Sequence, residues 1–249
     1  VPIDPYVLGV LLGDGGMSSA SVRISTADQE ILDRVCRHLP QGLTLKRVTG
    51  TQYDYVVLGH GRGHPHPLKS ALSELGLWGR TSPEKFIPDL YLWNDQHTRL
   101  ELLRGLMDTD GSASRDRHVS FCSTSERLIE GVEFLVRSLG GLTTRIRRNF
   151  QLGANDHCLW GHWVRHRHPP CVISIQLPPT AALTPFALRR KARRLDERRR
   201  QPRRWIVGVE PGSYGPAVCF QVDHPSGLFV MNDFIVTHNT TIPTFEEQA

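Results

Sequence analysis

An α+β fold of two similar halves followed by a β-rich tail is what this sequence predicts. Three observations predict it. An apolar helical run closing on Asp-Gly occurs twice, at residues 7–15 and 102–111. A similar order of helices and strands follows each run. Past Pro202 the arginine-rich composition gives way to short apolar stretches of β character.

The first run carries its own start signal, since Asp4 can cap a helix and Pro5 fits its first position. After it, residues 21–25 alternate and read as a strand. Residues 28–39 form an amphipathic helix through Ile31, Leu32 and Val35. Strands are expected at 43–48 and 53–58, a loop at 59–67 and a helix at 68–77. In the second half Leu100, Leu103, Leu106 and Met107 repeat at helical spacing, and Gly111 can close the helix 98–110. A strand at 119–122 and a helix at 127–139 follow, the helix resting on Leu128, Val132, Leu135 and Val136. Strands are expected at 143–148, 160–167 and 172–177, and an arginine-dense helix at 187–200.

Gly9 and Gly13 lie four apart, as do Gly105 and Thr109, so each of the paired helices carries a stripe of small residues. Packed side by side, they would bring Asp14 and Asp110 together at one end. The two acids are separated by 110 − 14 = 96 residues. A carboxylate at a helix C-terminus faces the negative end of the dipole, so a solvated position or a functional one must account for it.

These two stretches resemble the paired motifs of LAGLIDADG homing endonucleases. Residues 103–111 match that nonapeptide closely and residues 7–15 loosely. The resemblance implies two pseudo-symmetric αββαββα halves, residues 1–96 and 97–202, each with a saddle-shaped sheet that sits on DNA. It implies that Asp14 and Asp110 are catalytic, metal-binding carboxylates, with Mg²⁺ as the cofactor. Asp108 lies in the motif at a position the family does not usually use for metal. A Lys-x-Ile-Pro segment in the family holds a lysine that supports catalysis, and Lys85 in Glu84-Lys85-Phe86-Ile87-Pro88 matches it. Its counterpart is harder to place. Lys191 lies 191 − 110 = 81 residues after Asp110, against 85 − 14 = 71 for the first pair. An arginine-rich helix also suits phosphate binding or simple solvation.

Alternation sets Arg23 and Ser25 on one strand face and Arg145 and Arg147, with Thr143, on another; Lys46 adds to the first sheet. With Arg165 and Arg167 these are the candidate DNA contacts, since a twisted β-ribbon fits the major groove. The net charge of +5 fits a polyanionic partner. The partner implied is double-stranded DNA with a long recognition site, cut by a monomer, one strand per active site. No run of about 18 apolar residues predicts a membrane span. Five scattered cysteines suit a reducing compartment, the cytoplasm. His157, Cys158, His162, His166, His168 and Cys171 raise zinc as an alternative, but their spacing matches no standard finger.

Residues 203–239 resemble the C-terminal blocks of an intein, a fragment of the Hint fold. Asn239 would cyclise on its own peptide carbonyl and break the chain before Thr240, with His238 as general acid. Thr240 fits the nucleophile that follows. Cys219 with Thr237 matches class-three inteins, which use an internal cysteine instead. Residues 240–249 would be host sequence. The chain begins at Val1 with the endonuclease, so the expectation is an excised piece whose N-terminal splicing half is missing. Three readings follow: an intein-borne endonuclease, a DNA-binding insertion that no longer cuts, or a splicing element with an inert insert.

Overall fold

The computed structural model describes residues 1–18, 20–59, 66–114, 118–146, 157–159, 162–164, 168–195, 201–212, 215–216 and 222–238, with only the backbone given for 157–159, 162–164 and 181. The chain divides into two compact units, Val1–Pro202 and Arg203–Ala249.

In the first unit Asp4 accepts from the Val7 amide at 3.1 Å and starts helix α1 (Pro5–Asp14). The helix is buried on nearly every side, from Tyr6 to Leu12. Strand β1 (Gly15–Gly16) follows at once, then β2 (Arg23–Ser25), helix α2 (Gln29–His38), β3 (Thr44–Arg47) and β4 (Asp54–Leu58). The strands form an antiparallel sheet in the order β1-β2-β4-β3. Helix α3 (Pro67–Glu74), a 3-10 turn (Ser82–Glu84) and the short helix α4 (Asp89–Leu92) lead to helix α5 (Gln96–Thr109). Asp95 caps α5 by accepting from the Thr98 amide at 2.7 Å.

The second half repeats the plan. Strands β5 (Gly111–Ala113) and β6 (Val119–Ser123) precede helix α6 (Glu126–Ser138), and β7 (Leu142–Ile146) follows it. Next come a hairpin, β8 (His157–Leu159) with β9 (His162–Val164), and then β10 (Cys171–Gln176) and helix α7 (Arg189–Ala192). The second sheet runs β5-β6-β10-β7 and is antiparallel throughout. In each half the first strand emerges directly from the Asp-Gly helix, and the last strand in sequence is inserted between the second and third. Strands β1 and β5 escaped sequence reading because two or three residues carry no alternation. The helix expected at 187–200 is shorter: only Arg189–Ala192 is helical among the described residues.

Helices α1 and α5 cross at the centre. A Cβ added at Gly9 would lie 2.9 Å from the Gly105 Cα, and one added at Gly105 would lie 2.9 Å from the Gly9 Cα. Only paired glycines allow that approach. Leu8, Leu11, Leu102, Leu103, Leu106 and Met107 close the core around the crossing.

Register and burial identify the faces of each sheet. Buried Ile24 and Val57 turn toward the core, so Arg23, Val56 and Lys46 form a row across the open face. Ser25, the next open-face position on β2, donates to Asp54 at 2.6 Å. In the second sheet Phe121, Ile173 and Ala113 face the core, and Ser112, Ser120, Ser174 and Thr144 form a row of hydroxyls on the open face.

In the second unit β11 (Leu228–Val230) pairs with β12 (Val236–His238), setting Phe229 opposite Thr237 and Leu228 opposite His238. The turn between them places Asp233 and Phe234 at positive φ, 59° and 56°. Residues 205–210, expected to begin a β-rich stretch, have no regular structure, and Ile206 and Val207 are exposed. Apolar alternation makes a strand only where a neighbouring strand completes its hydrogen bonds.

Candidate active site

Asp14 ends α1 and Asp110 caps the end of α5. Because the helices abut, Asp110 Oδ2 would lie 3.3 Å from a Cβ placed on Gly13. Both acids line one cavity of about 470 Å³, together with Lys85, Ser123 and Thr124. A second cavity of about 350 Å³ opens beside Asp14 and is lined by Ser25, Thr26, Asp28 and Arg190. The Ser-Thr pair at the end of β2 thus has a counterpart at the end of β6, one in each cavity. The repeated Ser-Thr dipeptide is the sequence signal for Thr26, Ser123 and Thr124, which strand alternation alone does not single out.

The lysines explain how two carboxylates are tolerated at helix C-termini. Lys85 Nζ donates to the carbonyls of Leu11, Gly13 and Gly15 at 3.2, 2.9 and 2.8 Å. Lys191 Nζ donates to Met107, Thr109 and Gly111 at 3.0, 3.1 and 2.6 Å, and also to Asp108 at 2.6 Å. The three shared acceptors differ by the same 110 − 14 = 96 residues that separate the acids. Lys191 therefore stands to α5 as Lys85 stands to α1. Both are buried, Lys191 at 6% exposure, so neither is a solvated surface charge. Each places a cation against the negative end of a helix and beside the acid there.

Burial is the main cause of the shifted acidities. It pushes Asp110 up to about 6, with the Asp14 carboxylate adding and Lys85 and Lys191 opposing. Asp14 is pushed up for the same first reason, opposed by Lys191 and Lys85, although its residue surface remains open to solvent. Lys85 is pushed down to about 8 by burial, against the pull of Asp110 and Asp14.

Asp110 thus holds a proton in the folded state at pH values where the unfolded chain has released it. Its contribution to stability is full below the ordinary value of 3.8 and is lost as pH rises through about 6. Asparagine mimics the protonated acid. Metal-free Asp110→Asn is therefore expected to melt above the wild type near pH 7, with the gap closing near pH 4. A variant that melts lower at neutral pH in differential scanning calorimetry would contradict this.

Asp108 has a different task. It is 2% exposed and accepts from Tyr6 Oη at 2.8 Å and from the Leu188 amide at 3.0 Å. The Ala187 amide adds a bond of 3.1 Å. It therefore fixes the turn that presents Lys191, and its oxygens are already occupied.

The candidate DNA contacts divide. Arg23, Ser25 and Lys46 lie on the open face of the first sheet. Arg145 does not lie on an open face. It pairs across from buried Ile173, and its guanidinium is held by Glu133 at 2.8 and 3.1 Å and by Glu126. The alternation along the strand was read correctly but the face was not. The acids of α6 that capture Arg145 are distant in sequence, so the strand alone could not reveal them. Arg147, Arg165 and Arg167 lie outside the described residues, as do Cys219, Asn239 and Thr240. Thr237 and His238 sit on β12 in the second unit. Of the zinc candidates, His166 lies outside the described residues and only the backbone of His157, Cys158 and His162 is given; among the described residues no group of three or more His, Cys, Asp or Glu is placed to hold a metal ion. Among them, too, no helix is long and apolar enough to cross a membrane.

Residues 97–160 match the family model of the LAGLIDADG-like domain. This LAGLIDADG-like stretch contains Asp110, the crossing glycine Gly105 and helix α6. Among curated proteins, the chain is 31% identical over 247 residues to the replicative DNA helicase DnaB of Mycobacterium intracellulare, an alignment covering 96% of this chain and 35% of the helicase. It is 27% identical over 154 residues to the DNA-directed RNA polymerase subunit Rpo1C of Methanocaldococcus jannaschii, covering 59% of this chain and 17% of that protein. The chain thus spans about a third of the first relative and less of the second. Similar solved structures include mesophilic variants of the homing endonuclease I-DmoI, at 16% identity and a TM-score of 0.44, covering 71% of this chain and 89% of that one. The structure of I-DmoI in complex with DNA and Ca has the same identity and TM-score, over 71% and 83%.

Proposed function

We propose that the chain is a site-specific, metal-dependent DNA endonuclease carried in an intein. The observation that carries the nuclease reading is the doubled centre: two acids at abutting helix ends, each helix end gripped by a buried lysine at the equivalent position.

The residues present fit a hard divalent cation, since Asp14 and Asp110 both offer carboxylate oxygens to one cavity. Bound there, Mg²⁺ would supply Lewis acidity at a phosphodiester. Lys85 and Lys191 hold the helix ends that carry the acids and balance the charge that builds on phosphate. Ser123 and Thr124 in one cavity, and Thr26 in the other, offer hydroxyls to the backbone beside each cut. The open sheet faces read the duplex. Arg23 and Lys46 suit guanine edges, and the hydroxyls of Ser112, Ser120, Ser174 and Thr144 suit either strand's base edges. One chain supplies both centres, so a monomer suffices to break both strands.

Two features support the intein setting. The chain is similar to parts of two proteins whose names describe unrelated tasks, a helicase and an RNA polymerase subunit, as expected of a portable insert. The apolar residues 206–207 are exposed, as expected of a segment that pairs with strands of a splicing half. In that setting Asn239 cyclises and His238 protonates the leaving amine, and the nucleophile is Thr240, or Cys219 acting with Thr237. Release of the peptide beginning at Thr240 should stop in Asn239→Ala, and continued release seen by mass spectrometry would refute the role of Asn239.

The nuclease reading is tested by incubating the folded protein with a randomised duplex library and Mg²⁺ and sequencing the cut ends. One long preferred site with short 3′ overhangs is expected. Intact DNA from a folded protein would leave the two readings in which the insert no longer cuts.

A further inference from the structure

Each lysine-bearing segment is fastened to the covering helix of the opposite half. Ser125, the N-cap of α6, donates from Oγ to the carbonyl of Lys85 at 2.5 Å. Arg127 in the first turn of α6 stacks its guanidinium 4.2 Å from the centre of the Phe86 ring. Ile87 then lies against Gly131, where an added Cβ would stand 2.9 Å from Ile87 Cδ1. Lys85, Phe86 and Ile87 of the first half therefore run along the opening turns of the second half's helix. The reverse arrangement holds for Lys191. Asp28, the N-cap of α2, takes both arms of Arg190 at 2.7 and 2.6 Å. Glu30 in the first turn of α2 accepts from the Arg189 amide at 3.2 Å. Asp28 and Ser125 occupy equivalent places, each one residue before its helix.

We propose that Asp28 and Ser125 are positioning residues, each setting the lysine of the other half, so that each governs the cutting of a single strand. The inference rests on the nuclease reading and deepens it. Asp28 acts through Arg190 on Lys191, and Ser125 acts through the Lys85 carbonyl on Lys85. A general loss of stability would slow both cuts together. A loosened clasp slows one, and a shift of about 1 Å in an active-site group suffices for up to about a hundredfold.

Asp28→Asn is the cleaner variant, because Asp28 makes no side-chain bond to its own helix and asparagine caps as well as aspartate. Ser125→Ala also removes a cap bond to the Leu128 amide, 3.2 Å long, so it is read beside Ser125→Thr. The substrate is a supercoiled plasmid bearing the site recovered from the library, labelled on each strand in turn. Asp28→Asn is expected to accumulate nicked circles with one strand slowed about tenfold or more, Ser125→Ala to slow the other strand, and Asp28→Glu to restore balance. Hydrogen exchange without DNA supplies a second readout. The amides of Lys191, Ala192, Arg193 and Arg194, which are hydrogen-bonded within the turn, should exchange faster in Asp28→Asn alone. If wild-type protein leaves the plasmid supercoiled, the nuclease reading fails and the inference falls with it. Wild-type cutting with parallel slowing of both strands in the variants, or unchanged exchange in Asp28→Asn, overturns the inference alone.

Discussion

Asp110→Asn is expected to lower double-strand cutting by about a thousandfold or more while leaving DNA binding within a few-fold. The magnitude follows from the several kcal/mol that a metal ion supplies to a phosphoryl centre, each 1.36 kcal/mol being tenfold in rate. Asparagine keeps the size of the side chain but removes the charge that would hold the cation. Binding should survive because Asp110 lies at the helix end, not on the open sheet faces that carry Arg23 and Lys46. A plasmid linearisation assay with Mg²⁺ and a gel shift without it check the two halves of the statement. Unchanged cutting would remove Asp110 from the active centre. Asp108→Asn offers a contrast. Asp108 is buried and engaged with Tyr6 and the turn before Lys191, so its loss should act through fold stability and the placement of Lys191.

Gly105→Ala is expected to cost about 3 kcal/mol of stability, the upper end of the usual overpacking penalty. In an ordinary helix the sign would be opposite, since alanine is favoured over glycine by about 1 kcal/mol. Here the new methyl meets the Gly9 Cα and the Val10 amide nitrogen, both at 2.9 Å. These are backbone atoms that cannot rotate aside, so α1 and α5 must move apart. Asp14 and Asp110 ride on the ends of these helices, and cutting should fall together with melting temperature. Gly208→Ala is the control, because nothing lies within 4 Å of a Cβ at that position. Thermal unfolding of the three proteins decides the matter; a Gly105→Ala protein as stable as the wild type would mean that the helices do not cross at the glycines.

Local pattern made much of the site legible. Helical periodicity, the small-residue stripes and the Asp-Gly endings were enough to pair α1 with α5 and to expect Asp14 and Asp110 at one end. Amphipathic spacing placed α2 and α6, since a helix resting on a sheet must keep one apolar face. What stayed hidden depended on residues far apart in the chain. Lys191 is separated from the carbonyls it caps by more than a helix and a sheet, and its arginine-rich neighbourhood suggested solvent. Arg145 alternates as a groove-facing residue would, yet Glu126 and Glu133 claim it from the helix side. Asp28 and Ser125 look like ordinary helix starts.

The sequence by itself determined the halves, the crossing helices and the acids, because each is written in a periodicity or a spacing that the backbone must obey. The tertiary structure alone decided which cations serve those acids and which side of a strand faces solvent. Those outcomes turn on which distant charge the fold packs against a buried carbonyl or an arginine, and a one-dimensional pattern carries no distance between them.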